Sequence, residues 1–407
     1  MGFALHDFGR VTTAVQDYAC VTGESPLPLG GWEVADAAIC PPLWLVKRLR
    51  ASKAQPEGYA YLKDFRQARA KAAYVFGTDI RFGGVPLTEE HVAVMPNSSQ
   101  ALLLALTAWR EAGVRHVVVA APCYYATLHI CHHLGLDVTL VPAADYLTGA
   151  LDLAAIMRAL DQPHSALVVT NPAYSLGVTY GHAQLSALSA ILPARSYLLL
   201  DETRLGLSWE DDAPWYSADY PPQTLVLRSP SKIFLLNGVK TSFLLGMPSL
   251  LRATERLGEA LLGSVAGNAE DIALIYLAAW QEWRTEVSRV REGRFCEWRA
   301  GVVASLRRNL LACSTSMAEY GLISSPIDSG PYVLAALPRE RWQCRDSADI
   351  ARATGVMLMT SEYFYHEHPD WVGFRLNLCD NSDQAQAALR RVTTYALAPS
   401  CYCTMRG

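Results

Sequence analysis

Between about residue 90 and residue 250, short apolar runs alternate with longer stretches of helical periodicity. The runs at 116–121 (HVVVAA), 137–141, 166–170 (ALVVT), 197–201 (YLLLD) and 225–228 read as buried strands. Stretches at 100–112, 126–134 and 153–160 read as helices interleaved with them. A strand that is apolar on both faces must be covered on both, and parallel strands need long crossovers that helices supply. The pattern predicts an α/β fold whose mostly parallel sheet is sandwiched by helices. Ligand loops in such a sheet gather at the carboxyl ends of the strands.

Beyond this region, residues 260–311 are almost wholly helical in pattern, and 332–336 and 373–378 read as strands of a smaller C-terminal α/β domain. The expected division is an N-terminal arm with a small-domain segment (1–45), a large domain (46–262), a linking helix with the small domain (263–395) and a frayed tail (396–407). A chain of 407 residues has room for two or three such units. It is 51% apolar and 18% charged, which suits a large core and excludes disorder. With 35 basic and 39 acidic residues, net charge −4 and no basic run, a nucleic-acid surface is not expected. The first twenty residues hold no long apolar segment, and the run at 39–46 is too short to span a bilayer. No secretory signal and no membrane partner are therefore expected. The ten cysteines are scattered, and Cys401 and Cys403 do not form a CxxC pair. Reduced thiols and a cytoplasmic location follow.

Three successive strand ends carry polar residues. One run closes at Thr170-Asn171-Pro172 and continues to Gly177, the next delivers Asp201, and the next ends at Ser229-Pro230-Ser231-Lys232. Lys232 and Lys240 both lie in SPSKIFLLNGVKTSFLLG (229–246), a segment otherwise of buried character. A buried lysine is costly unless it is paired or covalently used.

In order and spacing these residues resemble the fold-type I pyridoxal 5′-phosphate (PLP) enzymes, specifically the class I/II aminotransferase family. The resemblance extends from Leu29-Gly30-Gly31-Trp32 to Arg375-Leu376-Asn377-Leu378. It implies a large PLP-binding domain, with Lys232 as the lysine that forms the Schiff base. A buried setting helps that lysine lose its proton. Ser229 matches a phosphate ligand. Lys240 stands where an arginine is usual, offering the phosphate a point charge without the bidentate fork. Asn97, Ser98 and Ser99 match the loop and helix start that cradle the phosphate, where N–H groups and the helix dipole favour an anion. Residues 97–99 also form a glycosylation sequon, which a chain without a secretory signal does not use. Asp201 matches the carboxylate that keeps the pyridine nitrogen protonated. Tyr124 matches the ring that stacks on the cofactor, and Asn171 opens the loop beside it. Gly31 and Trp32, with Gly30, match a segment that closes over the substrate, and Arg375 matches the clamp for its α-carboxylate. Tyr59 or Tyr61 matches the tyrosine that reaches the partner subunit's phosphate. With the loop 263–268 it implies a homodimer with shared sites.

Two positions depart from the family pattern. Its loop usually reads Asn-Pro-x-Asn-Pro-Thr-Gly, but here Tyr174 replaces the second asparagine. Arg204 replaces a tyrosine three residues after the aspartate. Both replaced residues usually contact the cofactor's phenolic oxygen. Either Tyr174 takes over that contact and Arg204 serves the substrate or a nearby carboxylate, or Arg204 faces the oxygen itself.

The resemblance implies an enzyme acting on an α-amino acid through an external aldimine and a quinonoid, with transamination as the family's usual outcome. The alternative is a specialised reaction of secondary metabolism: elimination or replacement, cyclisation, or O2-dependent oxidation. A PLP-sensing regulator would need a DNA-binding domain, for which about 24 residues before the fold are too few. A non-catalytic scaffold would not need Lys232 with Asp201. His129 and His133 are spaced to share a helix face, near Cys123, Cys131 and His132, but no general-base glutamate lies between them, and no metal is expected. His366 and His368 fall on a loop and could line a substrate entrance.

Overall fold

In the computed structural model, residues 5–53, 59–210, 218–290, 292–342 and 346–398 are described. Seven strands form the central sheet. They are β1 (Val92–Met95), β2 (His116–Ala120), β3 (Asp137–Val141), β4 (Ser165–Thr170), β5 (Tyr197–Asp201), β6 (Thr224–Arg228) and β7 (Ser242–Gly246). Their spatial order is β1-β7-β6-β5-β4-β2-β3. The five strands expected from sequence pair in parallel, and β7 runs antiparallel to both β6 and β1. Strands β1 and β7 are additions to the sequence reading. Apolar runs of four or five residues do not by themselves separate a buried strand from a buried helical turn. Every residue of β1, β2, β4, β6 and β7 is buried, while the edge strand β3 starts exposed at Asp137.

Register decides what the sheet edge presents. Thr170 pairs with Asp201, and Asp201 with Leu227, so β4, β5 and β6 end level. Parallel pairing therefore brings Asn171, Asp201 and Ser229 to one edge from positions far apart in the chain. The helix Ser98–Glu111 starts at the same edge directly after β1.

The helical region beyond the sheet divides into Pro248–Leu262, Ala269–Thr285, a π-turn at Glu286–Val290 and the long helix Arg294–Glu319. A second sheet follows, in which Tyr332–Pro338 pairs antiparallel with Trp371–Asn377. The N-terminal chain attaches to this second unit. Helix Gly9–Thr22 packs on helix Ser347–Thr354, and Leu27–Pro28 pairs in parallel with Val356–Met357. Ala396 is not the start of a frayed tail: it is the buried last residue of helix Ser382–Ala396. Residues 399–407, with Cys401 and Cys403, lie outside the described residues. Among the described residues no helix is long and apolar enough to cross a membrane.

Behind the polar edge lies a buried ion pair. Arg228 Nη2 sits 2.6 Å from Glu202 Oε2, with both side chains almost wholly enclosed. The Glu202 N–H also donates to the Leu227 carbonyl at 2.9 Å. Removing one partner strands the other charge in a medium that solvates it poorly. Arg228→Met should destabilise the protein by about 3–5 kcal/mol, read as a lowered midpoint of urea unfolding. A midpoint equal to wild type would show that the pair does not fix this edge.

Candidate active site

A cavity of about 320 Å³ opens at the shared strand edge. One end is built for an anion. Asn97, Ser98, Ser99, Ser229, Ser231 and Lys240 line it. Asn97 caps the helix: its Oδ1 accepts from the Gln100 N–H at 2.9 Å, and its Nδ2 donates to Gln100 Oε1 at 2.7 Å. Its side chain thus orients the helix start, where Ser98 and Ser99 offer first-turn N–H groups and hydroxyls. The Ser229 hydroxyl donates to the Thr241 carbonyl (3.0 Å) and meets the hydroxyls of Ser231 (3.2 Å) and Ser242 (3.1 Å). Lys240 is exposed at the rim.

The other end holds an amine and a carboxylate. Lys232 sits on the four-residue helix Pro230–Ile233, which follows β6 without a loop and has Pro230 in its first turn. Lys232 Nζ donates to Thr203 Oγ1 at 3.0 Å. Burial lowers its pKa to about 8; Asp201 opposes the shift, and Arg204 and Lys240 add to it. Asp201 ends β5 and is buried; its Oδ1 accepts from the Thr203 N–H at 3.1 Å. Tyr124 forms a wall, its ring centroid 6.0 Å from Lys232 Nζ and its hydroxyl 3.2 Å from Ser99 Oγ. Tyr174 is buried beside it, with ring centroids 5.7 Å apart.

The two arginines differ in placement. Arg204 lines the cavity with its guanidinium 4.6 Å from the Tyr332 ring centroid. Arg375 does not line it. Its guanidinium is fully buried between the rings of Trp32 (4.8 Å) and Tyr332 (4.4 Å). Nε donates to the Gly30 carbonyl at 3.0 Å, Nη2 to the Gly30 and Gly31 carbonyls, and Nη1 reaches Ser175 Oγ at 3.4 Å. Where the sequence expectation makes Arg375 a carboxylate clamp, here its Nε and Nη2 are engaged by backbone carbonyls of the N-terminal segment and Nη1 has the 3.4 Å contact to Ser175. Gly30 is a fixed requirement of that packing, because a Cβ there would lie 2.8 Å from the Met359 nitrogen.

Other expected residues also fall away from the cavity. Gly31 contributes its carbonyl to Arg375, while Trp32 does reach the wall. Asn171 is buried behind the wall, where its Oδ1 accepts from the Tyr180 N–H at 2.8 Å. Tyr59 is 82% exposed, stands 6.2 Å from the Tyr61 ring and does not line the cavity. His366 lines no entrance. It is buried flat against Tyr146 (4.4 Å), with Nε2 2.6 Å from the Tyr146 carbonyl, and burial pushes its pKa down to about 4. His129 Nε2 lies 3.1 Å from the His6 carbonyl, and the described residues contain no group of His, Cys, Asp and Glu suited to a metal ion. Sequence reasoning missed Thr170, Thr203, Ser231, Tyr125 and Asn237 on the wall. Thr170 and Ser231 lay inside the motifs already singled out, and Thr203 falls between Asp201 and Arg204, so position alone could have drawn notice to them.

An amine and a carboxylate on neighbouring strand ends share one cavity with serine hydroxyls and a helix start, an arrangement of the α/β enzyme type. The sequence profile of the family described as aminotransferase class I and II matches residues 52–269. The chain belongs to that family. It is 27% identical over 172 residues to a histidinol-phosphate aminotransferase of Yersinia pseudotuberculosis, a match covering 42% of this chain and 43% of the relative. The chain therefore matches under half the length of that relative. Among solved structures, a double mutant of Thermus thermophilus aspartate aminotransferase superimposes with TM-score 0.76 at 19% identity, covering 96% of this chain and 97% of the other. YbdL of Escherichia coli, for which a methionine aminotransferase function is described, gives 0.71 at 16% identity, with 97% of each chain covered. At these identities the likeness is one of fold, that of the fold-type I aminotransferases.

The lowered Lys232 pKa has a consequence for stability. The unfolded chain keeps this proton up to its ordinary value of 10.5, whereas the folded chain releases it near 8. The folded state is thus penalised below pH 8, and the penalty fades as pH rises through that window. Lys232→Met should stabilise the cofactor-free protein at pH 7, and its advantage should shrink towards pH 10. Urea unfolding at the two pH values measures this, and a pH-independent difference would contradict the assignment.

Proposed function

We propose that the protein is a PLP-dependent enzyme acting on α-amino acids, with transamination as its reaction. One observation carries the reading: the Lys232 amine and the Asp201 carboxylate share a cavity with a phosphate-type cradle. The donor set fits this cofactor. Ser98, Ser99, Ser229 and Lys240 would hold its phosphate, the Tyr124 ring would cover its face, and Asp201 would keep its ring nitrogen protonated. When bound, PLP supplies an electron sink that makes the substrate Cα–H acidic.

Lys232 does the proton work. A pKa of about 8 leaves part of the amine neutral near neutral pH, able to take a proton at Cα and return it. Arg204 would receive the substrate carboxylate, because it lines the cavity while Arg375 braces Gly30 and Gly31. Trp32 and Tyr174 would exclude water around it. A second reading rests on Tyr174 and Arg204 themselves. A cation on the cavity wall would favour charge on the phenolic oxygen of a bound cofactor, which would steer the reaction to elimination, replacement, cyclisation or oxidation.

Purified protein should take up PLP with visible absorbance, and borohydride should fix the cofactor to Lys232. Lys232→Ala should take none covalently. Adding amino acids should change the spectrum, and Arg204→Gln should raise the half-saturating concentration at least about tenfold, as loss of a charge-assisted hydrogen bond implies. Pyridoxamine phosphate as product supports transamination, and ammonia or peroxide supports the second reading. A protein that never binds PLP would overturn both.

A homodimer belongs to the same proposal. Val265 donates to the Ala60 carbonyl at 2.8 Å, so the 263–268 loop and the exposed Tyr59 form one surface region. Leu261, 60% exposed, adjoins it. Light scattering at micromolar concentration should give twice the chain mass. A fully active monomer would refute shared sites.

A further inference from the structure

We propose that Thr203 is a positioning residue for the Lys232 amine: whenever that amine is not covalently engaged, the Thr203 hydroxyl holds it at the cavity wall, in line with Asp201. The inference rests on the reading of Lys232 as the reacting amine and assigns a role to a residue outside the motifs that led to it.

The geometry is specific. Thr203 is buried on the turn that follows β5. Its N–H donates to Asp201 Oδ1 at 3.1 Å, and its Oγ1 accepts from Lys232 Nζ at 3.0 Å. One residue therefore fixes the carboxylate through its backbone and the amine through its side chain. A buried β-branched side chain has few rotamers, so the hydroxyl is held in place before the amine arrives. The backbone beneath is fixed as well: the Glu202 N–H is bonded to Leu227, and its carboxylate is paired with Arg228.

The chemistry suits the task. A hydroxyl offers one donor and two acceptor sites. It can accept from the ammonium form and turn to donate to the lone pair of the neutral form. A carboxylate in that place would hold the ammonium too firmly, and a methyl group would hold neither form. The charged groups acting on Lys232 are Asp201, which favours the ammonium, and Arg204 and Lys240, which oppose it. Against these, the hydroxyl adds a short-range contact that stabilises the charged amine and sets its direction.

The test uses the full chain without cofactor. Wild type, Thr203→Val and Thr203→Ser are methylated with formaldehyde and cyanoborohydride across a pH series. Modification of Lys232 is followed by peptide mass spectrometry. Because only the neutral amine reacts, the midpoint of rate against pH reports its pKa. Thr203→Val should lower the midpoint by about one pH unit, as loss of a hydrogen bond to a charged group implies. Thr203→Ser should restore the wild-type value. If the valine variant does not fold, Thr203→Ala provides the same comparison. An unmoved midpoint without the hydroxyl, or a serine variant displaced as far as valine, would overturn the proposal. Uptake of PLP is measured separately: a chain that binds none refutes the proposed function, whereas an unmoved midpoint refutes only the role of Thr203.

Discussion

The Glu202–Arg228 pair ties together the ends of β5 and β6, and the site hangs from those ends. Glu202 follows Asp201 directly, and Arg228 directly precedes Ser229. Two charges buried at 2.6 Å tolerate little displacement, since separation leaves each in a poorly polarisable medium. The carboxylate at 201 and the short helix bearing Lys232 are thus held in fixed relation by groups that never touch the cavity. Parallel pairing sets the level of the strand ends, and the ion pair prevents them from sliding.

Upon that frame the cavity divides its charges. Serine hydroxyls, the helix start at Ser98 and Lys240 make one end favourable to an anion. At the other end, desolvation works against the charge on Lys232, while Asp201 partly restores it. Between the two guanidinium groups stands Tyr332, whose ring lies within 4.6 Å of Arg204 and 4.4 Å of Arg375. The negative face of an aromatic ring lets cations sit near one another at lower cost than bare contact would allow. The ring makes room for a guanidinium on the cavity wall while a second one serves as a brace.

Much of this was legible in the sequence, and the reasons differ by residue. The alternation of apolar runs and helical stretches revealed the five parallel strands, because full burial leaves a continuous apolar signature. Asp201, Ser229 and Lys232 stood out because strand ends are where such a sheet gathers ligands. The antiparallel β7 was concealed by the two lysines before it. The contacts of Arg375 were hidden because nothing in its neighbourhood in the chain reveals that the carbonyls of Gly30 and Gly31, some 345 positions away, would accept from its Nε and Nη2. Asn171 looked like a cavity residue, but its side chain serves the turn at Tyr180. A threonine two residues after an aspartate shows its role only once folding sets a lysine 3.0 Å from its hydroxyl.

The lacing of residues 27–32 into the second unit bears on how the chain is made. A ribosome delivers Trp32 before the strands of the central sheet and Arg375 well after them. Strands β1 to β7 are complete once residue 246 has emerged, while the core cluster that covers them also draws on later residues such as Trp280 and Leu334. The cavity's outer wall waits as well. Leu27 and Pro28 wait for Val356 and Met357, and the carbonyls of Gly30 and Gly31 wait for the guanidinium that anchors them. Until residue 375 has been made, the carbonyls of Gly30 and Gly31 lack the guanidinium that anchors them, so a segment made before the sheet is seated only after it.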